Sequence, residues 1–213
     1  MKNLFFYAAL IGATVVTTSA FTGRSNRNAA APGISSVAAE PSKWVVDPAH
    51  SNVKFSVTHL VVSEVGGSFK IFDGSMETSK PDYSDAKISF SVDITSINTD
   101  NENRDKHLKS DDFFNAEKFP VMKFESTSFT PAGANKYKLA GNLTIRDVTK
   151  PVVFDVTYGG SVNAMGGTRA GFKAKTTIDR FDYNLKWNKA TEAGGLVASK
   201  EVDVIVNVEL KKI

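Results

Sequence analysis

Strict alternation of apolar and polar side chains constrains this fold more than any other feature, and it recurs along most of the chain after residue 44. In "SNVKFSVTHLVV" at 51–62, Val53, Phe55 and Val57 share one side of an extended chain. The same two-residue period places His59 at the end of that apolar row. Such alternation is typical of antiparallel strands that bury one face. The pattern therefore predicts an all-β fold.

Turn-forming residues divide the alternating chain into about eight segments. The predicted strands cover 52–60, 67–78, 85–95, 121–129, 135–145, 148–159, 168–180 and 200–211. Alternation stops at 101–119, where we expect one or two short helices that cross between strands three and four. Eight antiparallel strands without a repeat predict a closed barrel, because closure removes exposed strand edges.

An eight-stranded barrel either fills its own interior or holds one small ligand. The predicted inward faces mix aromatic and small residues, a mixture that fits a cavity and a solid core equally well. For a cavity, alternation predicts the following ligand-binding wall: Phe55, Val57, Phe90, Val92, Phe124, Leu139, Leu143, Phe154, Phe172 and Ile178. We expect His59 nearer the mouth, where it hydrogen-bonds either a ligand head group or a neighbouring backbone carbonyl.

The predicted helical segment contains "NRDKHL" at 103–108. Arg104 and His107 are three residues apart, so they share a helix face and can both point towards the mouth of the barrel. The alternative is a solvated helix in which Asp105 forms an ion pair.

The first residues have the pattern of a secretory signal peptide over 1–20. Lys2 precedes the apolar segment 4–16, and Thr18-Ser19-Ala20 resembles a small-residue cleavage site. The apolar segment is shorter than the roughly 20 residues that span a bilayer. Residues 21–42 predict a flexible linker, and 43–213 the folded domain. We therefore expect a periplasmic or secreted protein.

Several function classes are disfavoured. The chain has no cysteine, so the fold is not held by disulfides. Residues 43–213 are nearly balanced in charge and have no basic cluster, which argues against nucleic acid as a partner. Two of the three histidines, His50 and His59, are far apart on opposite faces of an extended segment, so we expect no metal site and no cofactor. No G-x-S-x-G elbow, cysteine nucleophile or glycine-rich phosphate loop is present, so we do not expect an enzyme.

Six segments in order resemble the YceI-like proteins, over nearly all of 44–213. They are "DPAHSNVKFSVTHL", "GGSFKIFDG", "NRDKHLKSDDFFNAEKFPVMKFES", "GNLTIRDVTKPVVF", "IDRFDYNLKWN" and "VDVIVNVEL". The chain departs from the family at Asp147 and Asn184, where glycine is usual. Asp and Asn are the other residues that best tolerate a left-handed backbone, so we expect both turns to form.

The resemblance implies a lipocalin-like barrel with a long apolar tunnel, in an exported protein that binds an isoprenoid chain such as a polyprenyl lipid or a quinone. It implies a carrier or storage role and no catalysis. Two alternatives stay open. The first is a solid barrel that binds another envelope protein through exposed aromatics such as Trp187. The second is an enzyme that acts on an isoprenoid. A homodimer and a transient membrane contact also stay open.

Overall fold

A computed structural model of the chain describes residues 40–190 and 196–213. The expected signal peptide and nearly all of the expected linker lie outside the described residues. The strands are β1 (Ser42–Val46), β2 (Asn52–His59), β3 (Ser63–Phe69), β4 (Phe72–Thr78), β5 (Lys87–Asp93), β6 (Ile97–Asn98), β7 (Val121–Pro131), β8 (Lys136–Ile145), β9 (Val148–Ala164), β10 (Gly167–Asp179) and β11 (Ala198–Lys212). One α-helix, α1 (Glu102–Lys109), occurs in the described part of the chain.

The strands close into an antiparallel barrel. Eight of them form a ring in the order β1-β4-β5-β7-β8-β9-β10-β11, and β11 pairs back with β1. The other three extend the wall at one end, because β11 also pairs with β2, β2 with β3, and β3 with β6. The predicted all-β, eight-stranded antiparallel barrel is confirmed.

The second expected strand is interrupted, and the third ends earlier than expected. The segment expected as one strand at 67–78 is two strands, because the Ser96 hydroxyl accepts the backbone N–H groups of Lys70 (3.1 Å) and Ile71 (3.0 Å). The strand expected at 85–95 ends at Asp93, whose carboxylate accepts the N–H of Thr95 and caps a short 3-10 turn. A further 3-10 turn, Pro48–His50, separates β2 from β1, a strand that the alternation did not predict.

The helical crossover does not match the expected position between strands three and four. It follows β6 and precedes β7, because β1 and the divisions of the early strands add elements before it. Helix α1 begins where the Asn101 side chain accepts the N–H of Arg104 at 2.9 Å, an arrangement typical of an N-cap. It ends at Lys109, and the Ser110 N–H donates to the carbonyl of His107.

Arg146, in the β8–β9 turn, holds the segment after α1 against the barrel. Its Nη1 donates to the carbonyls of Asp111 (3.0 Å), Phe113 (2.8 Å) and Asn184 (3.2 Å). Asn184 has the left-handed backbone expected of it, with φ of 60°. In the β8–β9 turn, however, the left-handed residue is Arg146 (φ 55°) and not Asp147.

Buried aromatic side chains close the end of the barrel opposite α1. Tyr83, in the β4–β5 loop, packs with Phe172 and Tyr158, each at a centroid distance of 5.4 Å, and with Trp44 at 6.1 Å. Burial raises the pKa of the Tyr83 hydroxyl. No helix in the described residues is long and apolar enough to cross a membrane.

Candidate functional site: an apolar cavity inside the barrel

The barrel interior is hollow. A cavity of about 460 Å³ lies within the ring, and all eight ring strands contribute lining residues. Most of the lining side chains are aliphatic or aromatic, and polar ones are a minority. This volume is in the range of cavities that hold small organic ligands.

Every residue that the sequence nominated for ligand binding lines this cavity. The wall set is Phe55, Val57, Phe90, Val92, Phe124, Leu139, Leu143, Phe154, Phe172 and Ile178, and the mouth set is His59, Arg104 and His107. The wall residues share an inward side because the side-chain period of a strand is two. Contact of these residues with a ligand stays a prediction.

Other lining residues were missed. The inward row of β11 also faces the cavity; it consists of Val202, Val204, Val206, Val208 and Leu210. Its alternation was visible in the sequence and could have identified it. Phe113, Arg180 and Trp187 also line the cavity, but they lie outside the strands, where no periodicity marks an inward side.

Glycines in the wall leave room for the inward aromatic rings. A Cβ atom on Gly141 would lie 2.3 Å from the ring of Phe124, and one on Gly67 would lie 2.4 Å from the ring of Phe55. Both distances are far inside van der Waals contact, so each ring occupies the space that a side chain on the neighbouring strand would take. The rings can therefore line the cavity without filling it.

Several polar groups of the cavity lie at the end covered by α1, and a series of contacts connects most of them. His59 pairs with Ala198 across β2 and β11, and the Ala198 carbonyl accepts from Arg180 Nη2 at 3.1 Å. Arg180 Nη1 donates to the carbonyl of Trp187 (2.7 Å), whose ring packs edge-on against His107 at 5.6 Å. We define the rim of the cavity as His59, Arg104, His107, Arg180 and Trp187. The His107 side chain keeps 42% of its surface exposed, so the cavity approaches solvent at the rim.

Arg180 holds the rim in shape. The side chain is only 4% exposed, and it donates to the carbonyls of Leu185, Trp187, Ala198 and Ser199. Burial lowers the pKa of its guanidinium, and the charge of Asp179 opposes that effect. Arg180 follows the end of β10, and its hydrogen bonds reach the segment after it and the start of β11. These bonds fix the backbone around the opening of the cavity.

The other rim groups differ in how they are held. Arg104 Nε and Nη2 donate to the hydroxyl and the carbonyl of Thr99 at 2.8 and 2.7 Å. Asp105 accepts from the Thr99 N–H and hydroxyl, and so does not make the ion pair of the solvated-helix alternative. His107 Nε2 lies 2.8 Å from Asp112 Oδ2. The half-buried His59 ring makes no hydrogen bond to another described residue, so it is the rim group with the most freedom to meet a ligand.

Trp187 is not the exposed anchor that the solid-barrel alternative requires. It is half-buried, lines the cavity, and packs against Phe113 (5.5 Å between centroids) as well as His107. The sequence could not show this, because Trp187 and Phe113 are far apart along the chain.

One cluster outside the cavity has the donor types of a metal site. Ligand atoms of Asp47, His50 and Glu209 lie within 4.8 Å of one another. However, Arg169 Nη1 donates to Asp47 Oδ2 and to Glu209 Oε1, both at 2.7 Å. A guanidinium therefore already supplies the positive charge between these carboxylates, and the absence of a bound metal stays a prediction.

Together these features define a class of protein: an all-β barrel that encloses an apolar cavity with a polar rim. The chain belongs to the YceI-like domain family, which matches residues 44–210. A UPF0312 protein of Staphylococcus aureus strain N315 is 39% identical over 170 residues, which cover 79% of this chain and 96% of the relative.

Solved structures share the fold. A YceI protein of Campylobacter jejuni is 31% identical, with a TM-score of 0.63 over 73% of this chain and 90% of its own. BcnA of Burkholderia cenocepacia is 24% identical, with a TM-score of 0.67 over 77% and 98%. A polyisoprenoid-binding domain from Saccharophagus degradans is 16% identical, with a TM-score of 0.59 over 80% and 98%. The last two similarities show the fold alone.

Proposed function

We propose that this protein is an exported, lipocalin-like lipid-binding protein. It holds a long isoprenoid chain, either a polyprenyl lipid or a quinone-like molecule, as a carrier or store. The observation that carries this proposal is the apolar cavity of about 460 Å³ within the barrel. The polyisoprenoid-binding domain among the structural neighbours supports the ligand class. The signal-peptide pattern at 1–20 supports export to the periplasm or the exterior.

The walls should supply most of the affinity. Each buried methylene contributes about 0.8 kcal/mol, so a chain of several isoprene units gains more than the roughly 1.5–3 kcal/mol of one charge-assisted hydrogen bond. The polar rim is the natural place for a head group, because the wall beyond it is almost entirely apolar. The ligand therefore enters tail first and leaves its head at the rim.

The geometry favours binding over catalysis. Catalysis by these rim groups would need an acid or base free to move a proton at a substrate atom. Arg104 and Arg180 are instead bonded to backbone carbonyls, and His107 is bonded to Asp112. His59 has no such bond, but no described residue holds its ring towards one substrate atom. The cavity of about 460 Å³ also disfavours a solid barrel whose only role is to present a surface.

Lipid extraction from protein purified from its own host tests the proposal, with native mass spectrometry of the intact complex. We expect one isoprenoid species to co-purify. The purified protein is then titrated with a polyprenol, its pyrophosphate, and the same polyprenol at half length. We expect the shorter chain to lose more affinity than removal of the pyrophosphate does. The reverse order would show that the head group dominates, and recovery of no lipid together with no binding would refute the proposed function.

A further inference from the structure

The β2–β3 turn exposes three consecutive apolar side chains. Leu60, Val61 and Val62 are 42%, 80% and 85% exposed. Among the described residues this is the only run of three adjacent large apolar side chains that are all exposed. Single exposed apolar residues are ordinary, but a run of this kind marks either a contact surface or a site prone to aggregation. We call residues 60–62 the apolar tip.

The backbone of the apolar tip is strained. Leu60 and Val61 have φ of 51° and 65°, in the left-handed region that β-branched residues such as valine rarely adopt. Glycine or asparagine would fit this turn at lower cost and would be less apolar. Glycine or asparagine at these positions would relieve the strain, yet the chain has leucine and valine. We infer that these apolar side chains have a use.

The apolar tip adjoins the rim of the cavity. The Leu60 N–H donates to the carbonyl of Val197 at 3.0 Å, and the preceding residue, His59, pairs with Ala198. His59, Val197 and Ala198 all line the cavity. A molecule that leaves the cavity past His59 therefore meets the apolar tip next.

We propose that the apolar tip inserts into the surface of a lipid bilayer, and so places the rim of the cavity against the membrane for lipid uptake and release. This inference rests on the proposed function, since it explains how a water-insoluble chain reaches the cavity without crossing water. Embedding the exposed tip side chains removes apolar area from water, as in other peripheral membrane anchors. The tip is small, so the contact is transient.

A bilayer fits the apolar tip better than a protein partner does. A stable protein interface buries about 800 Å² on each side, far more than three side chains can offer. The flanking residues Ser63, Glu64 and Lys189 are exposed and of mixed charge, so they do not extend the apolar surface. A bilayer needs to cover only the tip itself. Because the tip carries no charge, its binding should depend little on salt or on anionic lipid.

The test compares two pairs of substitutions in the full chain. V61D with V62D puts two carboxylates on the apolar tip. The matched control, V162D with M165D, makes the same change at the end of β9 and in the β9–β10 turn, at the opposite end of the barrel, where these residues are 60% and 80% exposed. Partition into phosphatidylcholine vesicles is measured by flotation, and transfer of a fluorescent polyprenol from protein to vesicles by stopped flow.

We expect the tip pair to lower both partition and transfer rate by about tenfold or more, and the control pair to leave both within about twofold. Polyprenol affinity in detergent solution should be the same in all three proteins. Equal losses in the two variants, no partition of the unmodified protein, or a change of oligomeric state in the tip pair would overturn the inference. Vesicle partition that is lost only in the tip pair, in a protein that binds no polyprenol, would support the docking surface and refute the proposed function instead.

Discussion

Asp47 joins the turn between β1 and β2 to Arg169 of β10. Its carboxylate lies 3.1 Å from His50 Nδ1, accepts from Arg169 Nη1 at 2.7 Å, and accepts from the Ala49 N–H at 3.0 Å. The hydrogen bonds to His50 and then to Arg169 hold the pKa of Asp47 at about 2, below its ordinary value of 3.8. A lowered pKa means that the ionised form stabilises the fold.

Asp82, Asp85 and Asp147 also have lowered pKa values, so Asp47 is isolated by comparing the pH dependence of unfolding with that of an Asp47 variant. Because the folded pKa is below the unfolded one, the contribution of Asp47 is complete above pH 3.8 and disappears as the pH falls towards about 2. We expect Asp47→Asn to be less stable than the unmodified protein at pH 5, and the difference to shrink between pH 4 and pH 2. Urea unfolding at a series of pH values measures it. If the free energies of unfolding of the two proteins stayed equally far apart from pH 4 to pH 2, the lowered pKa would not belong to Asp47.

At the scale of elements, the pairing of two strands in the barrel wall requires glycine where an aromatic ring of one strand packs on the backbone of the next. Gly141 of β8 lies across from Ser126 of β7, and the Phe124 ring covers it. An added Cβ would lie 2.3 Å from that ring and 2.5 Å from the backbone oxygen of Glu125. The ring could rotate away, but the backbone oxygen cannot move without disturbing the β7–β8 ladder.

We expect Gly141→Ala to destabilise the barrel by about 1–3 kcal/mol, as overpacking of a well-packed site usually does. Gly171→Ala on β10 is the matched control, because no atom lies within 4 Å of its added Cβ, and it should change stability by less than about 0.5 kcal/mol. Urea midpoints of the two variants measure the difference. Equal midpoints would mean that the β7–β8 wall yields more easily than its geometry indicates.

At the scale of the whole molecule, the hollow interior has fewer packing contacts than a filled core would have, but it leaves room for a ligand. A barrel of this size could fill its centre with side chains, yet Ala174 faces the cavity midway along β10. Apolar atoms around an empty space lose the contacts that a filled core would give them. A ligand restores those contacts, so its binding should also stabilise the fold by mass action.

Ala174→Phe should separate stability from binding. The new ring occupies cavity space, so we expect polyprenol affinity to fall by about tenfold or more while stability is unchanged or rises by up to about 1–2 kcal/mol. Lys175→Phe places the same side chain on the exposed face of β10 and should leave binding unchanged. Fluorescence titration and thermal melts test both. Equal affinities in the two variants would show that the ligand does not use this part of the cavity.

The local pattern of the chain determined most of the strands and the inward position of every residue of the predicted wall. It did so because the side-chain period of a strand is a property of the backbone alone. Much of the candidate site was therefore predictable. The early strand boundaries were not, since the break at Lys70 and Ile71 depends on the distant Ser96 hydroxyl.

Only the tertiary structure decided whether the barrel is hollow and which residues form its rim. A filled and a hollow interior have the same alternation, and they differ only in how far opposite walls stand apart and how rings lie over glycines such as Gly141. Arg180 and Trp187 belong to the rim because β10, β11 and α1 converge there. No pattern along the sequence encodes a distance between segments that meet only when the barrel closes.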